Sequence, residues 1–397
     1  MSGHWTDEAG GKPTVFLAPC ADYTPQAAAN AVDALARRLP ALCALRPGMR
    51  VAVKANLVSP LRPARAATTH PALLAALCTY ITARGASAVV GDSPGGPFTR
   101  AYVDGVYAAA GLRPLAGPGT ALNADFSVKT ADFPAAAAAR RFDYTAWLDD
   151  ADLIVNFAKL KTHGMMSLSC AVKNMFGVIP GLQKPEYHYR YPQAERFADM
   201  LIDLNAYFRP QVNLVDAVMA MEGFGPTNGR PRHMGLVLGA ESPYALDLVC
   251  AALIGLAPER VPTLVRAAQR DLAPARAEEV ALSGGTIEAF AVPDFDISAA
   301  KNDTSGFFSG ETAFGRGINR LAGRALATYP GLGSVRCVGC GKCAQLCPAH
   351  AIRIENGRAR IDRKACIRCF CCQEFCPVGA MIPKRSALAR LLIRRKG

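Results

Sequence analysis

The chain has 397 residues, of which 51% are hydrophobic and 19% charged, so it can bury a sizeable core and is not a disordered polypeptide. The formal net charge of +13 is uneven: residues 331–397 hold 14 Lys/Arg against 3 Asp/Glu, while the preceding 330 hold 31 against 29. No apolar run reaches the ~18 residues of a spanning helix, the most apolar stretch, Ala245–Leu256, being broken by Asp247.

Strand-like and helix-like patterns alternate from the start, which predicts an α/β fold with a mainly parallel sheet covered by helices. "TVFLAP" (Thr14–Pro19) reads as a strand and "PQAAANAVDALARRL" as an amphipathic helix. "RVAVKANLV" (Arg50–Val58) is a second strand, and "PALLAALCTYITARG" a helix stopped by Gly85. "ASAVVGDS" is a strand running into the Gly/Pro turn "PGGP". "ADLIVNFA" (Ala151–Ala158) is another strand, expected to empty into a cationic loop, "KLKTHGMMSLSCAVKN". "QVNLVDAV" and "MGLVLGA" follow as strands, and Ser242-Pro243 starts a further helix. Residues 292–330 mix Gly, Asn, Asp and Phe without period and read as a linker or embracing segment after an α/β substrate-binding domain, residues 1–291.

The tail carries the strongest signal. Cys337-x2-Cys340-x2-Cys343-x3-Cys347-Pro is followed by Cys366-x2-Cys369-x2-Cys372-x3-Cys376-Pro. This is the spacing of a bacterial two-cluster ferredoxin, in which three thiolates of one run hold a cube and the fourth reaches the other. It predicts two [4Fe–4S] clusters in a small α+β domain, residues 331–383. One is held by Cys337, Cys340, Cys343 and Cys376, the other by Cys366, Cys369, Cys372 and Cys347. Cys371 is spare and reads as a packed thiol. Fourteen cysteines with no visible export signal predict metal ligation in a reducing, cytoplasmic setting. Part of the tail's positive charge offsets the clusters. The remainder forms a basic helix, residues 384–397, whose readings are a solvated face, a dock for an acidic electron donor such as a ferredoxin or flavodoxin, or peripheral contact with an anionic membrane. No nucleic-acid recognition motif accompanies it.

Ligands of open α/β sheets sit beyond the carboxyl ends of the strands. There the sequence places Lys54 and Asn56, then Asp92, Ser93, Gly95 and Gly96 of "GDSPGG", Lys159, Lys161 and His163, Lys173 and Asn174, and Glu222 with Arg230. Together, "VAVKANLV", "TTHP", "GDSPGG", "AKLKTHGMMSLSCAVKNMFGVIPG" and "DAVMAMEGFGPTNGRPR" resemble the domain-of-unknown-function 362 family, from about residue 50 to 381. The resemblance implies a C-terminal two-cluster module but no settled reaction, and family members usually carry a small residue where Cys170 stands. We therefore expect an iron–sulfur oxidoreductase relaying electrons to a small anionic substrate. Lysines and Arg230 would bind that substrate, Lys161 would act with His163 in the chemistry, and His163 would supply a proton near its ordinary pKa of ~6.5. The alternatives are an electron-transfer subunit docking a partner enzyme, and a non-redox isomerase or ligand-binding domain with structural clusters. No GxGxxG or Walker A sequence is present, and a flavin held without a motif remains compatible with the chain. His188 sits in a Tyr/Arg-rich stretch and receives no role.

Overall fold

Strands that are apolar on both faces need helices on both sides. The computed structural model, which describes residues 11–298 and 328–385, is built that way. In chain order the strands are β1 (Thr14–Pro19), β2 (Arg50–Lys54), β3 (Ser87–Gly91), β4 (Thr120–Leu122), β5 (Val128–Asp132), β6 (Arg141–Thr145), β7 (Leu153–His163), β8 (Ser167–Ser169), β9 (Val212–Glu222), β10 (Arg230–Ala240) and β11 (Ala281–Ser283). The large sheet runs β11-β1-β10-β9-β7-β2-β3-β4, with β8 folded back on β7 and the β5–β6 hairpin separate. Only the pairs β1–β10 and β10–β9 on this path are antiparallel, so the sheet is mainly parallel, as expected.

Alternation sends successive residues to opposite faces. Val51, Val53, Val155, Phe157 and Leu214 pack under helices Pro25–Ala36 and Pro71–Thr82. Ala52, Ile154, Ala158, Leu160 and Val215 face helices Ala194–Phe208 and Pro243–Leu253 on the other side. Three helices begin with a proline at the first turn and a capping side chain before it: Thr24, Ser242 and the imidazole of His70, which accepts from the Ala72 N–H.

The structure departs from expectation in two places. β7 does not end at Ala158 but continues to His163, with every residue buried. The lysines stay inside because each finds local partners, described below, so polarity does not force the chain into solvent. A turn through Gly164, with Ser167 at φ 61°, then folds the chain into β8. The segment read as a linker or embracing segment, residues 292–330, is packed at both its described ends. Residues 292–298 pack on the α/β domain, with Phe295 buried and Asp296 bonded to the β9–β10 loop. Residues 328–332 already form β12 (Thr328–Leu332), which pairs with β15 (Met381–Arg385) of the C-terminal module. That module also holds the hairpin β13 (Ile352–Glu355) and β14 (Arg358–Ile361). Residues 299–327 and the expected basic helix beyond Arg385 lie outside the described residues. Among the described residues no helix is long and apolar enough to cross a membrane.

Candidate functional site

The two cysteine runs fold into two sets. Cys337, Cys340, Cys343 and Cys376 line one small cavity of about 20 Å³, walled by Leu332, Ile354, Ala359 and Met381. Burial and the neighbouring Cys337, Cys376 and Cys340 push the Cys343 thiol up. Cys366 is raised by burial and by Cys369 and Cys347, and Cys372 by burial and by Cys369, Cys366, Cys343 and Cys347. The first cavity thus takes three cysteines from one run and Cys376 from the other. Backbone N–H groups of Ala351 and Ala380 point at Cys347 Sγ (3.3 Å) and Cys376 Sγ (3.2 Å). Converging thiols, apolar walls and N–H donors to sulfur fit an iron–sulfur cube.

The second run is sealed against the α/β domain. Its short helix Cys371–Glu374 is clamped by the β9–β10 loop: Gln373 Nε2 donates to the carbonyls of Phe224 (2.8 Å) and Gly225 (3.1 Å), and Asn228 Nδ2 donates to the Gln373 carbonyl (3.1 Å). Phe370 packs on Gly164 and Phe375 on Gly95, where a Cβ would collide with the Phe375 ring at Gly95 and press on the Phe370 ring at Gly164. The stretch "EGFGPTN" therefore holds the module more than it rims the sheet.

Between this helix and the carboxyl ends of β2, β3 and β7 lies a cavity of about 60 Å³, room for a molecule of a few heavy atoms where one water needs ~10–15 Å³. The α/β side contributes Asn56, Asp92, Ser93, Gly95, Lys161, Lys173 and Asn174, and the module contributes Cys371, Glu374 and Phe375. Lys161 is 1% exposed and donates to Asn56 Oδ1 (2.6 Å) and the Ala67 carbonyl (2.8 Å), with no carboxylate in contact. Burial, then the repulsion of Lys173, pulls its pKa down to about 7. Lys184 donates to the carbonyls of Ser93 and Ile179, and burial lowers it to about 7 as well. The Lys173 ammonium, 5.6 Å from the centre of the Phe176 ring, has no hydrogen-bond or ion-pair partner among the described residues. Ser93 Oγ and His188 Nδ1 are buried at the same cavity without a hydrogen-bond partner among the described residues. This partly enclosed space gathers three lysines and two idle polar atoms beside Glu374 and Asp92, whose carboxylates already meet His163 and Lys54.

Asparagines hold the floor. Asn174 Oδ1 accepts from Asn56 Nδ2 (2.8 Å) and Lys54 Nζ (3.3 Å), and its Nδ2 donates to Asn156 Oδ1 (2.8 Å). Asn156 in turn donates to Asn213 Oδ1 (2.8 Å). Lys54 lies 2.7 Å from Asp92 Oδ1, and Asp92 Oδ2 accepts from the Leu57 N–H. Gly177 packs on this pair so closely that any Cβ would overlap it.

Several expected residues are elsewhere. Lys159 is paired with Asp216 Oδ2 (2.8 Å) and Tyr23 OH (2.8 Å), away from the cavity. Gly96 abuts Tyr102. Arg230 is 70% exposed and pairs with Glu222 (3.0 Å) across the β9–β10 turn, so that pair satisfies itself. His163 does not line the cavity. Its Nδ1 accepts from the N–H groups of Met165 and Met166 (3.1 Å each), which places its proton on Nε2, 3.0 Å from Glu374 Oε1. Burial pushes His163 down to about 4, so at neutral pH it is a neutral strut between the domains rather than the expected acid. Burial alone would raise Glu374, but His163 and Lys173 outweigh it and hold its carboxyl at about 2. Lys184, His188, Glu374 and Phe375 were missed. They come from segments distant in sequence, and only His188 stood out by type.

The comparisons with known proteins fall on the same two parts. Residues 331–377 match the 4Fe-4S dicluster domain, and the tail is 36% identical over 72 residues to a pyruvate synthase subunit of Methanocaldococcus jannaschii, covering 18% of this chain and 84% of that protein. The chain thus carries a ferredoxin-type iron–sulfur electron-transfer module. A solved structure, the lactate racemase apoprotein of Thermoanaerobacterium thermosaccharolyticum, overlays with a TM-score of 0.40 at 13% identity, covering 62% of this chain and 58% of that one. A thylakoid-associated protein of Synechocystis is 32% identical over 241 residues, 59% of this chain and 72% of its own length. Residues 51–252 match the domain of unknown function DUF362, which spans the sheet rim and cavity floor, and the chain belongs to that family.

Proposed function

We propose that the chain is an iron–sulfur oxidoreductase that reduces a small anionic molecule bound at the carboxyl ends of β2, β3 and β7, with electrons arriving through two [4Fe–4S] clusters. One observation carries this reading: a single cavity has Lys161, Lys173 and Lys184 on its α/β walls and Cys371, the neighbour of the cluster ligand Cys372, on the other. Each cluster, when bound, takes up and passes on one electron. The residues of the chain do the rest. Lys173 binds a carboxylate or phosphate oxygen, with Ser93 Oγ and His188 Nδ1 as further polar contacts. Lys161, poised near pH 7, can give a proton as the substrate gains charge. Phe176 and Phe375 exclude water, which strengthens these interactions. The step balances as two electrons supplied by a partner redox protein and two protons, one from Lys161 and one from Lys184, added across a polarised double bond.

The test is single turnover under anaerobic conditions. Protein reduced at both centres and mixed with small unsaturated carboxylates or phosphorylated compounds should be reoxidised, one molecule for every two electrons. Lys173→Ala should lose this reoxidation while keeping its clusters. If no such compound reoxidises the protein, the chain is an electron-transfer subunit and the substrate belongs to a partner.

A further inference from the structure

The α/β domain covers one end of the C-terminal module and leaves the other bare. Cys369 and Cys372 are buried, whereas Cys340 is exposed and Cys337, Cys343 and Cys376 are half-buried. Val338 (60% exposed), Val378 (39%) and Ile354 (36%) lie around Cys340 and line the same small cavity with it. Single exposed apolar side chains need no explanation, but a contiguous group beside a redox centre marks a contact surface.

The hairpin that supplies Ile354 has a second, basic side. Arg353 stands directly opposite Arg360 across the β13–β14 pair, and like charges at that position are destabilising. Arg353 has only Glu355, 3.6 Å away and itself half exposed, and Arg360 has no carboxylate partner among the described residues. Arg353, Arg360, Arg363 and Lys364, with one carboxylate, Asp362, and Ile361 among them, wall an open hollow of about 410 Å³. The hairpin turn is pressed onto the first cysteine run: a Cβ on Gly339 would come within 2.7 Å of the Gly357 carbonyl. The basic hollow and the apolar patch are therefore the two sides of one hairpin, seated on the solvent-facing cysteine set.

We propose that this hairpin end is the docking surface for an acidic one-electron carrier protein, whose carboxylates seat against Arg353, Arg360, Arg363 and Lys364. With both clusters bound, the Cys340 set would hold the one that accepts the electron and the Cys372 set the one nearer the buried cavity. An apolar patch beside the centre and a basic side on the same hairpin end suit a contact that must form fast and part readily, because charge complementarity acts mainly on the rate of encounter. Each encounter moves one electron: the carrier is oxidised by one, the solvent-facing centre is reduced by one, and no bond or proton is exchanged. The inference rests on the module's electron-transfer role and is independent of what the buried cavity reduces.

The experiment uses the full chain with its clusters reconstituted, no substrate, and two reductants in stopped flow: a reduced acidic ferredoxin and a neutral reduced mediator. Arg353→Glu with Arg360→Glu should slow reduction by the ferredoxin at least ~10-fold at low ionic strength and flatten its salt dependence. The corresponding double Gln variant should fall between this and the wild type. The mediator should reduce all three proteins alike. A wild-type ferredoxin rate in the Glu variant would overturn the assignment, and so would equal slowing with the mediator, since the effect would then lie in the centres themselves. If the Glu variant instead loses binding to anionic phospholipid vesicles at an unchanged ferredoxin rate, the surface meets a membrane and the proposal fails.

Discussion

Lys159 and Lys161 stand two residues apart on β7 and are equally buried, yet among the described residues the first has a carboxylate in contact and the second has none. Lys159 sits in a closed nest. Its ammonium meets Asp216, Tyr23 donates to the other oxygen of Asp216 (2.8 Å), and the Tyr23 ring stacks on His70 with centres 3.5 Å apart. Lys54 with Asp92 repeats the pattern. Lys161, Lys173 and Lys184 share their surroundings with two carboxylates that are already engaged, Glu374 by His163 and Asp92 by Lys54. A buried charge is tolerated when paired and otherwise sheds its proton or waits for a counter-ion. Where the fold supplies the anion, the lysine belongs to the frame. Where it does not, the lysine is left for something that enters.

The contrast predicts opposite consequences for similar substitutions. The largest effect should come from Asp216→Asn, which strands the Lys159 ammonium in the core. Removing one partner of a buried pair costs about 3–5 kcal/mol, and it should appear as a lowered denaturation midpoint with an unchanged denaturant slope. Lys161→Met leaves no stranded charge and should cost well under half as much. Equal losses in the two variants would erase the distinction between frame and site.

Activity should rank the same pair the other way. Losing one charge-assisted hydrogen bond to an anion is worth about 1.5–3 kcal/mol, so Lys161→Met or Lys173→Met should weaken binding or turnover of an anionic substrate ~10–100-fold. The clusters should stay reducible. His163→Phe should do less to binding than either, because His163 acts through Glu374 and the seating of the module. Its signature should be a slower transfer from centres to substrate, with reduction by an external donor unaffected.

How much of this was legible in the sequence depends on how local each signal is. The period-2 runs and the Gly/Pro turns mark the mainly parallel sheet, and the doubled Cys spacing marks the dicluster module, since each fits within a few tens of residues. The end of β7 was misread because the group that keeps Lys159 inside, Asp216, lies 57 residues further on. Glu222 and Arg230 look like rim residues until the antiparallel β9–β10 turn sets them against each other. Glu374 was unremarkable between Cys372 and Cys376, because nothing near it announces His163 as its neighbour. A wall built from both domains cannot be read from either.

The smallest effect is a pH slope, and it probes Lys161 directly. Its pKa is lowered to about 7 by burial and by Lys173, with Glu374 and Asp92 pulling it up and Lys159 pushing it down. In the unfolded chain the same group titrates near ~10.4. Between those values the unfolded chain holds a proton that the folded chain does not, so stability rises with pH across that window. The rise from one such group is at most ~1.4 kcal/mol per pH unit, less any solvation the folded chain gains by relaxing. Lys184 adds a similar rise, and buried cysteines such as Cys20, raised to about 11, oppose it. The quantity to measure is therefore the stability of the wild type minus that of Lys161→Met, in which those shared contributions cancel. It should grow between pH 7 and 10. A bound small anion should hold the Lys161 proton in place and move the onset of the rise to higher pH. A flat difference would mean that Lys161 keeps its charge without an anion, and the distinction between paired and waiting lysines would then collapse at the residue that defines it.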